Sequence, residues 1–462
     1  MKSVKRINLR NSNKLYKKAL KIIPYGAQTY SKGVKAFSDG VSPKFLAKGL
    51  GCEVWDVDGN KYIDFVMGNQ PLILGYADPD VNKAVNKQLA LGSTFSVANK
   101  LEIDVAELLV KHIPGAEGAR FGKNGADATT IAVRLARAIT KRDHLAFCGY
   151  HGWHDWFVGT TDLNGGVPKF NEELAHSFPY NDIENLEKIF KKYKNKISCV
   201  IMEPITVSGP KSGINGSTQW SDFDKKKNFL VDVKSLCKKN GALLVFDEVV
   251  TGFRYDIGGA QKMFGITPDL GCFAKAMSNG IPVSAITGKK EYMKYLETTF
   301  FSFTYGGDCI GLAAAKATIN KIEKKNVIDH LYKAGSKLKK GMNELIKIYD
   351  LEEMLECSGY PCRSVMTIKK FGKYKKPLIT KSLIQQELMF REVLWSQYHS
   401  ISYSHKNSHI DKSLNAFEAA FKKLKKIVKN NNSIENNLLG KPCETVFTRV
   451  ADFQSVATSQ RK

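Results

Sequence analysis

The sequence predicts an α/β fold: a mainly parallel central sheet flanked by helices, plus a small α+β domain built from both chain ends. Three observations carry this. Between about residues 100 and 320, apolar β-branched runs alternate with helical patterns, as in strand–helix–strand units covered on both faces. Residues 52–65 alternate in polarity around Asp58-Gly59, a hairpin signal. Beyond about residue 325 the pattern becomes helices with a few short strands.

The elements follow in order. Residues 1–24 read as an amphipathic helix with Leu15, Ala19 and Ile22 on one face. The same basic segment leaves a mitochondrial presequence open, but without a continuous apolar core it is no secretory signal. Apolar runs at 144–148, 199–202, 242–246 and 270–274 read as strands, separated by segments such as 183–193 and 224–239, which read as helices. Residues 129–137, 316–340 and 411–429 are also helical in pattern. At 462 residues the chain exceeds the size of one core. The layout expected is 1–70 contributing to the small domain, 71–325 as the large α/β domain and 326–462 as the rest of the small α+β domain.

Composition narrows the class. Hydrophobic residues at 43% and charged residues at 25% match a globular protein, and no apolar run approaches the ~20 residues that span a bilayer. The nine cysteines are scattered without a CxxC pair, and several lie in or beside apolar runs. They read as buried thiols in a reducing cytoplasm rather than as disulfides or a metal site. The net charge of +25 is mostly Lys in short pairs, such as Lys191-Lys192 and Lys425-Lys426. These pairs suit solvated helix faces, and no nucleic-acid-binding motif accompanies them.

Four segments carry chemistry. The apolar run at 242–246 ends in Asp247-Glu248. Ligands of open α/β sheets bind at the carboxyl ends of strands, so an acid there pairs with a cationic ligand group or serves as a cap. Lys275 lies in a long apolar, Gly-containing stretch. Burial favours its neutral, nucleophilic amine; the alternative is a lysine snorkelling from a strand end. Residues 121–128, with Asn124, Gly125 and Ala126, feed a helix N-terminus, which suits an anion. Tyr150, His151 and Trp153 follow a strand between glycines, where an aromatic stacks on a planar ring or packs in the core. An amine, an acid, an anion turn and an aromatic, each at a strand end, are the parts needed to hold pyridoxal 5′-phosphate (PLP).

From about Lys32 to Leu424 the sequence resembles the class III (fold type I) PLP-dependent aminotransferases, most closely their glutamate-1-semialdehyde 2,1-aminomutase branch. The stretch Phe246-Asp-Glu-Val-Val-Thr-Gly-Phe-Arg254, continued through Gly258-Gly-Ala-Gln261 to Lys275 and Pro282, carries the likeness, with the hairpin 55–64 and Tyr150-His-Gly152. The resemblance implies that Lys275 is the Schiff-base lysine and Asp247 the partner of the pyridine nitrogen. It places Val249 and Tyr150 on the two ring faces, with His151 in the same cofactor-binding turn. Asn124, Gly125 and Ala126 would hold the phosphate, and Thr304 would reach it from a neighbouring subunit, so a homodimer with shared active sites is implied. Glu203, Lys35, Gln397 and His399 fall at substrate positions.

The sequence also departs from that pattern. The family's Ser-Gly-Thr-Glu turn is Asn124-Gly-Ala-Asp127 here, with two hydroxyls gone. Lys35 replaces the branch's carboxylate-binding Arg, and a Lys lacks the bidentate fork. The branch's Gly- and Pro-rich loop is replaced by 297–304, and residues 395–400 offer no Arg. The expectation is an aminotransferase acting between a small-molecule amino donor and a carbonyl acceptor, with glutamate as donor and a keto-sugar of surface polysaccharide as acceptor. The aminomutase making 5-aminolevulinate is the alternative, and a non-catalytic basic binding protein the remote one. No metal, nucleic acid or membrane partner is expected.

Overall fold

The computed structural model describes residues 7–213, 216–218 and 222–446. Its contacts divide the chain into two units: residues 7–78 with Asp329–Val446, and Pro79–Ile328. The sequence pattern places the breaks near residues 70 and 325.

The larger unit is built on seven strands, numbered here along that unit: β1 Gly118–Gly122, β2 His144–Cys148, β3 Ala175–Ser177, β4 Ile197–Met202, β5 Leu243–Asp247, β6 Leu270–Phe273 and β7 Ser284–Gly288. Their order across the sheet is β1-β7-β6-β5-β4-β2-β3. Only β7 runs against its neighbours, β6 and β1; the other pairs are parallel. The carboxyl ends of β1, β2, β4, β5 and β6 therefore share one edge. Strands β4 and β5 are buried along their whole length, which explains their unbroken apolar sequence. Helix Gly125–Thr140 supplies Ile131, Leu135 and Ala136 to a core shared with Phe147, Ile201, Val245 and Cys272.

Most predicted elements lie within a few residues of the observed ones, and the differences have physical causes. The helix expected over 224–239 spans Phe229–Asn240, because Asn228 caps it: its Oδ1 accepts from the Leu230 and Val231 amides at 3.0 and 3.1 Å. Residues 316–340 are not one helix. Cys309–Lys324 and Val327–Ile348 meet at Asn326, whose φ of 48° cannot continue a right-handed turn.

In the smaller unit, Leu46–Leu50, Glu53–Asp56 and Lys61–Asp64 pair antiparallel, and Val393–Leu394 adds to Lys61–Asp64 in parallel, so both chain ends share a sheet. Leu355–Tyr360, Arg363–Ile368 and Tyr398–Ser400 form a second, antiparallel sheet. The first helix, Arg10–Ile22, buries Ser12 and Ala19, while Leu15 and Ile22 stay 41% and 71% exposed. The expected apolar face is not what seats it. Asp58 at the hairpin tip accepts from the Asn11 and Ser12 amides at 2.7 and 2.8 Å, satisfying two free donors of the helix end.

All nine cysteines are buried and free. Among the described residues no helix is long and apolar enough to cross a membrane. Replacing Asn228 with Ala removes a buried cap and should lower unfolding free energy by about 1–2 kcal/mol, measured as a shift of the urea midpoint at unchanged slope.

Candidate active site

The five carboxyl ends bring the chemical segments of the larger unit together. Asp247 closes β5 beside Cys272 of β6, and Lys275 follows two residues after that strand. Asp247 is 3% exposed. Its Oδ2 lies 2.8 Å from His151 Nδ1, and its Oδ1 accepts from the Val249 amide at 3.0 Å. Beside a carboxylate, Nδ1 is the donor, so the neutral ring carries its proton there. His151 is itself buried, stacked on Trp156 and edge-on to Phe157, and Thr129 Oγ1 donates to its carbonyl at 2.7 Å. The acid is thus oriented from both oxygens, while each oxygen retains lone-pair capacity.

Lys275 has a backbone φ of 42°. A non-glycine residue in this region costs roughly 1–3 kcal/mol and persists where the surroundings enforce it, often at active sites. It is half-buried at the mouth of the sheet, in a one-turn segment continuing to Ser278.

The turn after β1 meets two other loops at positions where no β-carbon fits. A Cβ on Gly125 would stand 2.9 and 3.0 Å from the two Val249 methyls. A Cβ on Gly152 (φ 113°) would meet Ala126 Cβ at 2.6 Å, and one on Gly149 (φ 133°) would meet Glu203 at 2.9 Å. The turn is held open from below by Asp127, whose Oδ2 accepts from the Lys123 and Asn124 amides at 2.8 Å each. The first-turn amides of Gly125 and Ala126 have no intrahelical acceptor, as at any helix start, and favour an anion. Asn124 is the cap residue of this helix.

Tyr150 is 42% exposed, its ring edge-on to Phe157, and its amide donates to Glu203 Oε1 at 2.7 Å. Glu203 therefore shapes the Tyr150 loop. Thr304 is exposed in a turn of the larger unit.

Lys35, Gln397 and His399 belong to the smaller unit. Lys35 pairs with Glu444 at 2.9 Å. Gln397, with φ 116°, donates from Nε2 to the Met366 carbonyl at 3.2 Å. His399 differs from the expectation of a substrate contact. It is completely buried, 3.0 Å from Ser364 Oγ through Nδ1 and packed against Trp395 and Phe417; burial pushes its imidazole down to about 3. Strand alternation turns it inward, which no local sequence cue announces.

Glu248, visible in the sequence only as the second of two acids, is completely buried. It accepts from the Thr251 hydroxyl and, at 2.8 Å each, from the Ala260 and Gln261 amides. It thereby closes the loop that presents Val249. Burial, with a smaller contribution from Asp247, pushes its carboxyl up to about 7.

These parts fit PLP. The glycine-lined turn could take a phosphate, the doubly held Asp247 could face a pyridinium, and Lys275 offers an amine just past the neighbouring strand end. The comparisons agree. The model of the class-III aminotransferases matches residues 36–376. A 3-aminobutyryl-CoA aminotransferase of Cloacimonas acidaminovorans is 33% identical over 92% of this chain and 99% of its own. A glutamate-1-semialdehyde 2,1-aminomutase of Aquifex aeolicus is 33% identical over 89% of this chain and 100% of its own. The crystal structure of an omega-transaminase from Sphaerobacter thermophilus superposes with a TM-score of 0.77 at 25% identity, covering 89% of this chain and 97% of that one.

Two outcomes follow. Gly125→Ala should weaken PLP binding by about tenfold or more, because the new methyl displaces Val249; adding Val249→Ala should recover most of it, read by cofactor titration. For Glu248, a folded pKa near 7 exceeds the ordinary 4.5, so the folded state binds the extra proton between those values. Its contribution to stability is present below about pH 4.5 and lost as pH rises through 7, by about 3 kcal/mol. Urea unfolding of the wild type at both pH values, compared with Glu248→Gln, should show this slope and its absence in the variant.

Proposed function

We propose, for a chain that belongs to the class-III aminotransferase family, an enzyme that moves an amino group from L-glutamate to a carbonyl acceptor lacking a carboxylate, such as a keto-sugar. When bound, PLP supplies an aldehyde that captures amines and a ring that withdraws electrons from them. Lys275 would hold the aldehyde through Nζ, and its free amine would move the proton from the substrate carbon and back. Asp247, oriented by His151 and the Val249 amide, would set its carboxylate against the ring nitrogen. Val249 and Tyr150 would flank the ring, and the Gly125 and Ala126 amides with Asn124 would hold the phosphate.

The observation that carries the acceptor class is at Lys35. The branch's guanidinium is replaced by an ammonium already paired with Glu444, which leaves a weaker carboxylate site than a bidentate Arg. A homodimer is supported by the surroundings of Thr304. Phe300, Tyr305, Val97 and Ile103 of the same unit are 77%, 59%, 81% and 61% exposed, an apolar display that a second copy would cover. The buried free thiols support a reducing, cytoplasmic setting. The aminomutase is the second reading, drawn from the full-length likeness to the Aquifex aeolicus enzyme.

The visible absorption of the PLP-loaded protein tests this. The wild type should absorb as a lysine-linked aldehyde and Lys275→Ala should not. Added L-glutamate should bleach the wild-type band, and an unchanged band with every amino donor would sink the transaminase reading. Formation of 5-aminolevulinate from glutamate-1-semialdehyde would establish the second reading instead.

A further inference from the structure

Residues 124–127 lack the two hydroxyls that the resembled turn places on a phosphate, yet one more side-chain donor lies along the same helix end. His154 follows Gly152, the residue closed against Ala126. Its Nδ1 is 2.6 Å from Thr130 Oγ1, and that oxygen also accepts the Trp156 indole N–H at 2.9 Å. An indole only donates, and the hydroxyl has a proton of its own to give; with Nδ1 accepting it, the neutral imidazole carries its proton on Nε2. From Nε2, Asp127 Oδ1 stands 4.0 Å away, beyond hydrogen-bond reach. Asp127 instead spends Oδ2 on the Lys123 and Asn124 amides. Residues 127 and 130 sit one above the other on the first turns of helix Gly125–Thr140. The imidazole therefore runs along that face with its Nε2 toward the amide-bearing end. Its side chain is 28% exposed, open to a ligand.

We propose that His154 is a ligand of the cofactor's phosphate, its Nε2–H donating to a phosphate oxygen in place of a hydroxyl that the turn lacks. Thr130 and Trp156 act through it as positioning residues, since they hold the Nδ1 side of the ring against the helix. The inference rests on PLP as cofactor and is independent of the donor and acceptor.

Titrating the apoprotein with PLP and, separately, with pyridoxal, which has the same ring and aldehyde but no phosphate, tests it through the visible spectrum. His154→Phe should weaken PLP by about tenfold or more, the scale of one hydrogen bond to a charged group, and leave pyridoxal within about twofold. His154→Gln keeps a side-chain N–H and should recover part of the PLP affinity. Equal losses for both aldehydes in a folded His154→Phe, or an unchanged PLP affinity in it, overturns the proposal. A misfolded variant fails in both arms, and His154→Gln then decides by the same ratio of PLP to pyridoxal. A wild type that binds neither aldehyde would refute the cofactor, a separate result.

Discussion

Around the turn at residues 124–127, four loops are tied together by three contacts where a single methyl would not fit. Gly125 lies against Val249, Gly152 against Ala126 and Gly149 against Glu203. Each contact joins segments that follow different strands, so each depends on the register of the sheet beneath it. Cys148 pairs with Met202, Met202 with Phe246, and Asp247 with Cys272, which brings the ends of β2, β4, β5 and β6 level. A slip of one residue would turn alternate side chains to the other face and separate the loops. Core packing under helix Gly125–Thr140 is what makes that register costly to change.

The second constraint is electrostatic. Asp247 and Glu248 are adjacent, acidic and buried, and two unpaired charges there would be expensive. The chain resolves this by giving them different partners. Asp247 faces an imidazole N–H and one amide, with capacity left for a cation. Glu248 turns the other way and is consumed by a hydroxyl and two amides at the start of helix Gly259–Phe264. One acid is held ready for a ligand; the other organises the loop carrying Val249. The same economy appears in the smaller unit, where Asp58 shapes a hairpin tip and caps the first helix.

Much of this was legible from local pattern. Apolar runs marked the buried strands because a strand covered on both faces has no polar positions. Gly, Lys and acid at strand ends marked the site because ligands bind at that edge. Burial direction was not legible where both outcomes share one sequence. His399 sits in a polar-looking segment yet points into the core, and Leu15 and Ile22 sit on an apparent apolar face yet remain exposed.

By itself, then, the sequence determined the class of fold, the sheet that organises it, and the amine, acid, glycine turn and aromatic that stand at its strand ends. These follow from periodicity and residue chemistry, which act over a few residues. Only the tertiary structure decided that His151 grips Asp247 across 96 positions, that Glu248 serves a loop rather than a ligand, and that Thr130 Oγ1 stands between His154 Nδ1 and the Trp156 indole. Such hydrogen bonds depend on distances between segments far apart in sequence. Those distances exist only once the strands have taken their order and register.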